Sequence, residues 1–300
     1  MIVVGDEVRE ALAAGVAVVG LETTLVAHGF PYPEGAVVAV EAERRVRAAG
    51  AVPATVGVVD GVLRVGLDER ELDRFAAAGA GARKLGPRDL AACMAQGGLG
   101  ATTVGGTLAV CALAGIRFMA TGGLGGVHRG FPAPPDVSAD LGELTRSPVL
   151  VVSSGIKSIL DVAATAEVLE TLSVPVLGWR THELPLFYVA RGGPPLSTRV
   201  ETAEEAAAIA RTHWHELRRS SALLLGRPPV DSLDDVEPLI DEALADAAGR
   251  GITGQAVTPH VLAYLHEHSD GRTAAANKAL VADNAGLAGD VALAYARAGA

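Results

Sequence analysis

Residues 148–172 read PVLVVSSGIKSILDVAATAEVLETL, and this stretch decides the fold class. It opens with an apolar, β-branched run that has the length of a buried strand. Ser153-Ser154-Gly155 then form a short polar turn, and the Ala-rich continuation predicts a helix that opens near Lys157. A strand that leads through a short turn into a helix is the repeating unit of α/β proteins. We therefore expect a mainly parallel sheet with helices packed on it.

The same alternation continues in both directions along the 300 residues. Strands are predicted at 16–21, 54–59, 117–121, 149–153, 174–178 and 222–225, and helices at 35–49, 68–78, 88–96, 106–114, 157–172, 203–219, 235–248, 258–267 and 273–297. Asp60-Gly61 separates two short apolar runs and predicts a hairpin, so the sheet should be mixed. The pattern predicts a three-layer α/β/α fold with a central mixed, mainly parallel sheet, built as a single domain over residues 1–300.

Charge and composition argue against several classes of function. The formal net charge of −10 disfavours a nucleic-acid polymer as partner, because such binding needs clustered Lys and Arg. Charges, glycines and prolines interrupt each apolar run before the roughly 18 residues that a membrane span needs. Asp6 and Glu7 stand where a signal peptide would carry basic residues, so we expect a cytoplasmic protein. Cys93 and Cys111 have no CxxC partner and indicate small core residues, with no zinc site.

Candidate site residues follow the predicted strands, because ligands bind beyond the carboxyl ends of the strands in open α/β sheets. Glu22, in the segment GLETTLVAHGFPYP (20–33), closes one such strand. Burial would favour its neutral carboxyl form and make it a candidate general acid. The alternative is a structural glutamate that holds a loop amide or an arginine.

The glycine-rich segment MATGGLGGVHRG (119–130) follows another strand. Glycines let backbone N–H groups approach an anion closely, and His128 and Arg129 stand nearby as donors. His128 occupies the place of the third glycine of a dinucleotide-binding GxGxxG motif, so that motif is not met. A tight loop without a ligand is an equally good interpretation.

The acidic segment PPDVSADLGEL (134–144) brings Asp136, Asp140 and Glu143 close together in sequence. On a helix, Asp136 and Asp140 would share one face, and their oxygen ligands would suit Mg²⁺ or Mn²⁺ better than Zn²⁺. Acidic residues are also common at the start of a helix for electrostatic reasons alone. Both interpretations stay open on the sequence.

Two lysines are candidate site residues. The positive end of the predicted helix and the apolar neighbours Ile156 and Ile159 disfavour the ammonium form of Lys157, and a neutral amine can attack a carbonyl carbon. A surface lysine is the common alternative, but a cation at a helix N-terminus is unfavourable without compensation. Lys84, in ARKLGPRDL, either anchors a phosphate or belongs to a solvated charge cluster.

Together these segments resemble the pseudouridine-5'-phosphate glycosidase family, also called the indigoidine synthase A-like family. The resemblance extends from about residue 7 to residue 295 and rests on ordered motifs. These are LETTLVAHGFPYP, TVGVVDGVLRVGL, TTVGGTLAVCALAGI, FMATGGLGGVHRG, DVSADLGEL, SGIKSILD and ANKALVADNAGLA.

The resemblance implies an enzyme that reversibly cleaves pseudouridine 5'-phosphate to uracil and ribose 5-phosphate. It implies Lys157 as the nucleophile that forms a Schiff base, Glu22 as the proton donor and acceptor, and Asp136 as the ligand of one Mn²⁺ per subunit, with other divalent ions possible. Substrate contacts are implied for Lys84, Val104, His128, Ser138, Ala139, Asp140 and Asn277. A homotrimer is implied as well.

The chemistry agrees with the residues, because a C-glycoside has no leaving-group oxygen that a carboxylic acid could protonate. An imine at C1' supplies the electron sink that the broken carbon–carbon bond needs. Two rivals remain on the sequence alone. One is a Schiff-base lyase or glycosidase acting on another sugar phosphate, and the other is a noncatalytic ligand-binding protein that retains the fold.

Overall fold

The computed structural model describes residues 1–130 and 135–299, so Pro134, the first residue of the acidic segment, lies outside the described residues. Its strands are β1 (Ile2–Val4), β2 (Val18–Leu21), β3 (Val52–Val59), β4 (Val62–Val65), β5 (Arg83–Leu85), β6 (Gly100–Thr102), β7 (Phe118–Ala120), β8 (Val127–His128), β9 (Leu150–Ser153), β10 (Leu160–Asp161), β11 (Val176–Trp179), β12 (Thr198–Val200) and β13 (Leu223–Gly226).

The helices are α1 (Asp6–Ala13), α2 (Thr24–His28), α3 (Glu34–Ala48), α4 (Glu69–Ala78), α5 (Leu90–Ala95), α6 (Val104–Ala114), α7 (Ala139–Leu144), α8 (Val162–Thr171), α9 (Ala203–Arg211), α10 (Glu237–Gly249), α11 (Val257–His268) and α12 (Arg272–Gly299). Short 3-10 turns lie at Gly79–Gly81, Pro87–Asp89 and Gly254–Ala256, and a π-helical turn at Thr212–Glu216 follows α9. Among the described helices, none is both long and apolar enough to cross a membrane.

The central sheet has eleven described strands in the order β1-β4-β3-β2-β7-β9-β13-β11-β12, with β6 also paired to β3 and β5 paired to β6. Neighbouring strands run parallel, except that β4 and β6 are antiparallel to β3. The register pairs Leu21 with Ala120 and Ala120 with Val152, so β2, β7 and β9 end near one edge. The predicted mixed, mainly parallel sheet is confirmed.

Helices cover both faces of this sheet. Strands β2, β7, β9 and β13 are buried at every position, which a sheet achieves only when neither face meets water. Their sequences accordingly show continuous apolar runs without polar alternation. The long helix α12 packs against α3, α9 and the strands β7, β9 and β2. The three-layer α/β/α architecture predicted from the sequence is therefore confirmed.

The hairpin between β3 and β4 also follows the prediction. Asp60 and Gly61 both have positive φ, 50° and 77°, as a two-residue turn between twisted antiparallel strands requires. Val59 pairs with Val62 across the turn. Thr202 caps α9 by accepting the Glu205 N–H at 3.2 Å.

One helix prediction was wrong where it bears on the site, and one helical arrangement that the sequence left open is not formed. Helix α8 begins at Val162, and its N-cap is Asp161, whose carboxylate accepts the Ala164 N–H at 2.9 Å. Lys157 therefore lies on a loop, and the helix dipole that we invoked for it does not act there. Helix α7 begins at Ala139 after its cap Ser138, so Asp136 and Asp140 do not share a helix face.

The short elements β1, β5, β6, β12, α1 and α2 were absent from the prediction. Each of these strands has three residues, which is too few for a hydrophobic period to emerge.

Candidate active site

A cavity of about 440 Å³ opens beyond the carboxyl ends of the strands. Glu22 follows β2, Val104 follows β6, and Lys157 comes four residues after β9. The structure brings into its wall all ten residues to which the family resemblance assigns a role: Glu22, Lys84, Val104, His128, Asp136, Ser138, Ala139, Asp140, Lys157 and Asn277. Arg129 and Glu143, which the sequence also singled out, are not among the residues that line it. Residues from seven separate regions of the chain thus meet at one place.

Glu22 is 8% exposed and accepts a hydrogen bond from the Thr121 hydroxyl. Burial raises the pKa of its carboxyl group, while the positive charge of Lys157 and the Thr121 hydrogen bond oppose that shift. A carboxyl group with a raised pKa holds its proton at a higher pH and can donate it to a substrate. The environment of Glu22 is therefore that of a general acid.

Lys157 lies on a loop that is held from both sides. Its backbone N–H donates to the Leu124 carbonyl at 3.2 Å, and its carbonyl accepts the Leu160 N–H at 3.0 Å. Ile156 on one side is fully buried. The side chain passes Gly123, where an added Cβ would lie 3.1 Å from Lys157 Cγ and 2.5 Å from Phe187 Cδ2. Glycine at position 123 thus gives the lysine side chain its path into the cavity.

Lys84 stands on β5 and is the second lysine of the cavity wall. Burial lowers its pKa to about 8, with the nearby positive charge of Lys157 acting in the same direction. Asp140 and Glu22 oppose that shift. Lys84 therefore gives up its proton at a lower pH than a lysine exposed to water does.

Asp140 joins two loops of the cavity wall. Its carboxylate accepts the Gly105 N–H at 2.7 Å and the Gly125 N–H at 3.1 Å. Both glycines are needed for this close approach, since an added Cβ would lie 3.0 Å and 2.6 Å from the two carboxylate oxygens, respectively. Ser138, the cap of α7, accepts the Asp140 N–H at 3.2 Å and fixes the same turn. Asp140 thus shapes the cavity as well as lining it.

Asp136 lines the cavity with a side chain that is 34% exposed, and its carboxylate lies 3.7 Å from His128 Nδ1. Burial lowers the pKa of His128, although Asp136 opposes that shift. Within residues 1–130 and 135–299 no three His, Cys, Asp or Glu side chains cluster as a metal site. A single accessible carboxylate does not suit Zn²⁺, but it fits an ion such as Mn²⁺ or Mg²⁺ that keeps several water ligands.

Asn277 projects from α12 into the cavity wall and is 1% exposed. Neither its amide oxygen nor its amide nitrogen has a hydrogen-bond partner in the described part of the chain. A buried polar group without a partner costs roughly 1–3 kcal/mol, so such groups need a reason to persist. A ligand in the cavity that binds both amide atoms is such a reason.

Several wall residues were missed on the sequence. His28 lies in the LETTLVAHGFPYP segment, where its place in that motif was the available signal. Phe187 adopts a positive φ of 63° and forms part of the wall, and no sequence signal marked it. Thr258 and Leu262 of α11 also line the cavity, and their place there depends on packing between distant segments of the chain.

Fold and site together define an α/β protein with a buried acid and two lysines in one cavity at the strand ends. The chain belongs to the family described as indigoidine synthase A like protein, whose match covers residues 7–294. It is 47% identical over 296 residues to the pseudouridine-5'-phosphate glycosidase of Herpetosiphon aurantiacus, covering 98% of this chain and 97% of the relative.

Two further comparisons agree. The pseudouridine-5'-phosphate glycosidase of Myxococcus xanthus is 45% identical over 296 residues, covering 98% of both chains. The crystal structure of a prealnumycin C-glycosynthase in complex with ribulose 5-phosphate superposes with a TM-score of 0.90 at 39% identity, covering 100% of this chain and 98% of that one. The family resemblance seen in the sequence motifs is confirmed.

Proposed function

We propose that this protein is a pseudouridine-5'-phosphate glycosidase, which reversibly cleaves the C-glycosidic bond of pseudouridine 5'-phosphate to uracil and ribose 5-phosphate. The observation that carries the proposal is the meeting of Glu22, Lys157 and Lys84 in one cavity. Relatives of that name align with nearly the whole chain. The structure of the similar C-glycosynthase contains a bound pentose phosphate, ribulose 5-phosphate. These findings support an enzyme that acts on a small sugar phosphate.

In the first step, the side-chain nitrogen of Lys157 attacks C1' of the ribose and the bond between C1' and the ring oxygen breaks. Glu22 donates its proton to that oxygen, which becomes a hydroxyl group. The buried position of Glu22 favours this role, because its proton is retained until a basic atom forms beside it. The proton that the lysine nitrogen loses as the new C–N bond forms passes to the Glu22 carboxylate, so Glu22 carries a proton again before the second step.

In the second step, the nitrogen lone pair forms a C=N bond to C1' and the bond from C1' to C5 of uracil breaks. The uracil carbon takes a proton, for which Glu22 is again the nearest acid in the proposed arrangement. Water then adds to the imine and gives one proton to the Glu22 carboxylate, and ribose 5-phosphate leaves Lys157 as the bond between C1' and nitrogen breaks. The overall reaction consumes one water molecule and leaves each protein group as it began.

Binding of the 5'-phosphate and the sugar is proposed for the rest of the wall. Lys84 supplies a positive charge, and His128 and the Ser138 hydroxyl supply polar contacts. Asn277 offers two amide atoms that have no hydrogen-bond partner among the described residues. Ala139, Asp140 and the backbone at Val104 complete the contacts proposed from the family resemblance. Binding energy from these remote groups orients C1' toward the amine of Lys157.

One Mn²⁺ per subunit, or another divalent ion, is proposed at Asp136 with water completing its shell. When bound, such an ion would neutralise phosphate or sugar oxygens beside it. A homotrimer in the cytoplasm is likewise proposed from the family resemblance. Metal analysis of wild type and Asp136→Ala, together with light scattering for the mass, tests the ion and the trimer.

The second candidate is a Schiff-base lyase or glycosidase acting on another sugar phosphate. The C-glycosynthase favours this alternative. It has the same fold as this chain, but it is named for prealnumycin and its structure contains ribulose 5-phosphate. Incubation with pseudouridine 5'-phosphate separates the two candidates. We expect release of uracil that chromatography detects, and turnover of another sugar phosphate without any release of uracil would overturn the proposal.

A further inference from the structure

The loop between β9 and α8, which carries Lys157, is tied to two other segments of the chain. On one side, Leu124 of the glycine-rich segment donates to the Gly155 carbonyl at 2.9 Å and accepts the Lys157 N–H at 3.2 Å. On the other side, the Ser158 hydroxyl donates to the Leu186 carbonyl. The carbonyl group of Ser158, the residue directly after the lysine, has a different partner.

That partner is Arg129, which the sequence singled out as a donor beside an anion and which is not among the residues that line the cavity. Its Nη2 donates to the Ser158 carbonyl at 2.6 Å. The same nitrogen donates to Glu237 Oε1 at 2.7 Å, and Nη1 donates to Asp241 Oδ1 at 2.9 Å. Strand β8 ends at the residue before Arg129 and pairs with β10, which follows the lysine loop. Arg129 therefore leaves the glycine-rich segment directly beside that loop.

The two carboxylates fix the direction in which the guanidinium of Arg129 donates. Glu237 and Asp241 stand four residues apart near the start of α10, so they share one face of that helix. A guanidinium group is a rigid planar fork whose N–H groups have fixed relative directions. With N–H groups on both Nη atoms bound to carboxylates, the remaining N–H of Nη2 is aimed at the Ser158 carbonyl.

We propose that Arg129 is a positioning residue of the reaction, which holds the loop so that the side-chain nitrogen of Lys157 faces C1' of the substrate. The inference rests on the proposed function, in which Lys157 is the nucleophile. Because the lysine lies outside the helix, its place depends on separate contacts such as the one between Arg129 and Ser158. Arg129 acts through that carbonyl group and takes no part in the bond changes.

This contact should matter more for the reaction rate than for stability. The side chains of Glu237 and Asp241 are 57% and 65% exposed, and exposed ion pairs contribute little to the free energy of unfolding. The position of a reacting group is more critical, since a displacement of about 1 Å can cost about 10²-fold in rate. Loss of one of the several ties of the loop should cause a smaller displacement than that.

Steady-state kinetics of uracil release from pseudouridine 5'-phosphate test this role. Arg129→Met keeps most of the length of the side chain and removes the guanidinium. We expect kcat to fall about tenfold, with KM within about twofold of the wild-type value, because the groups that bind phosphate and sugar are unchanged. The borohydride-trapped adduct of ribose 5-phosphate with Lys157 should form more slowly by a similar factor. The unfolding temperature should stay close to that of the wild type.

Changes at the two carboxylates show whether they act through the same contact. The double variant Glu237→Ala and Asp241→Ala frees the guanidinium and should lower kcat by less than Arg129→Met does. The triple variant should have the same kcat as Arg129→Met, since all three side chains act through one bond to Ser158. Losses that multiply in the triple variant would overturn the proposal, because α10 would then affect the rate without Arg129.

Arg272→Met is the matched control. Arg272 donates from both of its Nη atoms to the carboxylate of Asp235, two residues before α10, at 3.2 and 3.0 Å. This change removes an exposed ion pair beside the same helix but away from the lysine loop, so kcat and the rate of adduct formation should stay at wild-type values.

Wild-type kcat in Arg129→Met, or an equal loss of kcat in Arg272→Met, would overturn the positioning role while leaving the glycosidase proposal intact. A wild-type protein that releases no uracil and forms no adduct would instead overturn both.

Discussion

The loops after β2 and β9 leave the same edge of the sheet but differ in length and burial. After β2 the chain enters α2 at Thr24, three residues beyond the strand, and Glu22 is enclosed. After β9 the chain runs through eight residues before α8 begins at Val162, and Lys157 stays partly exposed. An acid must be buried to keep its proton, whereas a nucleophile must reach the substrate. The two loop lengths match these two requirements.

Removal of the Lys157 amine, on the longer loop after β9, should lower the turnover rate more than any other change. We expect Lys157→Ala to lose all measurable turnover, because no other group of the β9 loop can form the imine. The variant should stay folded, with an unfolding temperature close to that of the wild type. Lys278→Ala, which removes a lysine paired with Glu34 outside the cavity wall, should keep full activity.

Borohydride quenching with substrate, followed by peptide mass spectrometry, locates the reduced sugar adduct. We expect the adduct on the peptide that contains Lys157. An adduct on Lys84 would instead reverse the roles that we propose for Lys157 and Lys84.

Removal of the Glu22 carboxyl group, on the shorter loop after β2, should give the second largest loss of turnover. Glu22→Gln keeps the hydrogen bond from Thr121 but has no proton to donate, so kcat should fall about 10²–10⁴-fold. The matched change Glu201→Gln affects an exposed glutamate paired with Arg199 and should leave kcat unchanged. If Glu22→Gln retained more than a tenth of the wild-type activity, the buried carboxyl group of Glu22 would have a structural role and no catalytic one.

A change at Gly123 alters the path of the lysine side chain without touching its amine. In Gly123→Ala the added methyl group meets Phe187 and Lys157, which must shift. Displacement of a reacting group by about 1 Å can cost about 10²-fold, so we expect kcat to fall by up to that factor. Gly142→Ala, where an added Cβ has only a contact at 3.7 Å with Arg146, is the control. Equal activity in both variants would show that Lys157 reaches the substrate by another path.

The smallest effect concerns the pH dependence of substrate binding. The pKa of Lys84 is lowered to about 8, so its positive charge is present below that pH and is lost as the pH rises through it. We expect KM for the phosphorylated substrate to rise severalfold between pH 7 and about pH 9. Lys84→Arg should remove this rise, since an arginine stays charged. A KM profile that is the same in both proteins would contradict a charge role for Lys84.

The central fold and the place of the site followed from the sequence because the strands involved are buried on both faces. Continuous apolar runs such as 149–153 have few other interpretations, and the residue after each strand must lie at the sheet edge. Glu22 and Lys157 were found in this way. His28, Phe187 and the α11 residues were not, since their entry into the cavity depends on contacts between distant segments.

By itself, the sequence determined the order of strands and helices, the mixed character of the sheet and the chemical groups available at its edge. These features depend on local periodicity, on turn residues such as Asp60-Gly61, and on side-chain chemistry. Only the tertiary structure decided that α8 begins at Val162, that Asp136 lies outside a helix, and that Phe187 lines the cavity. Such features arise from packing between residues far apart in the chain, whose distances no local pattern encodes.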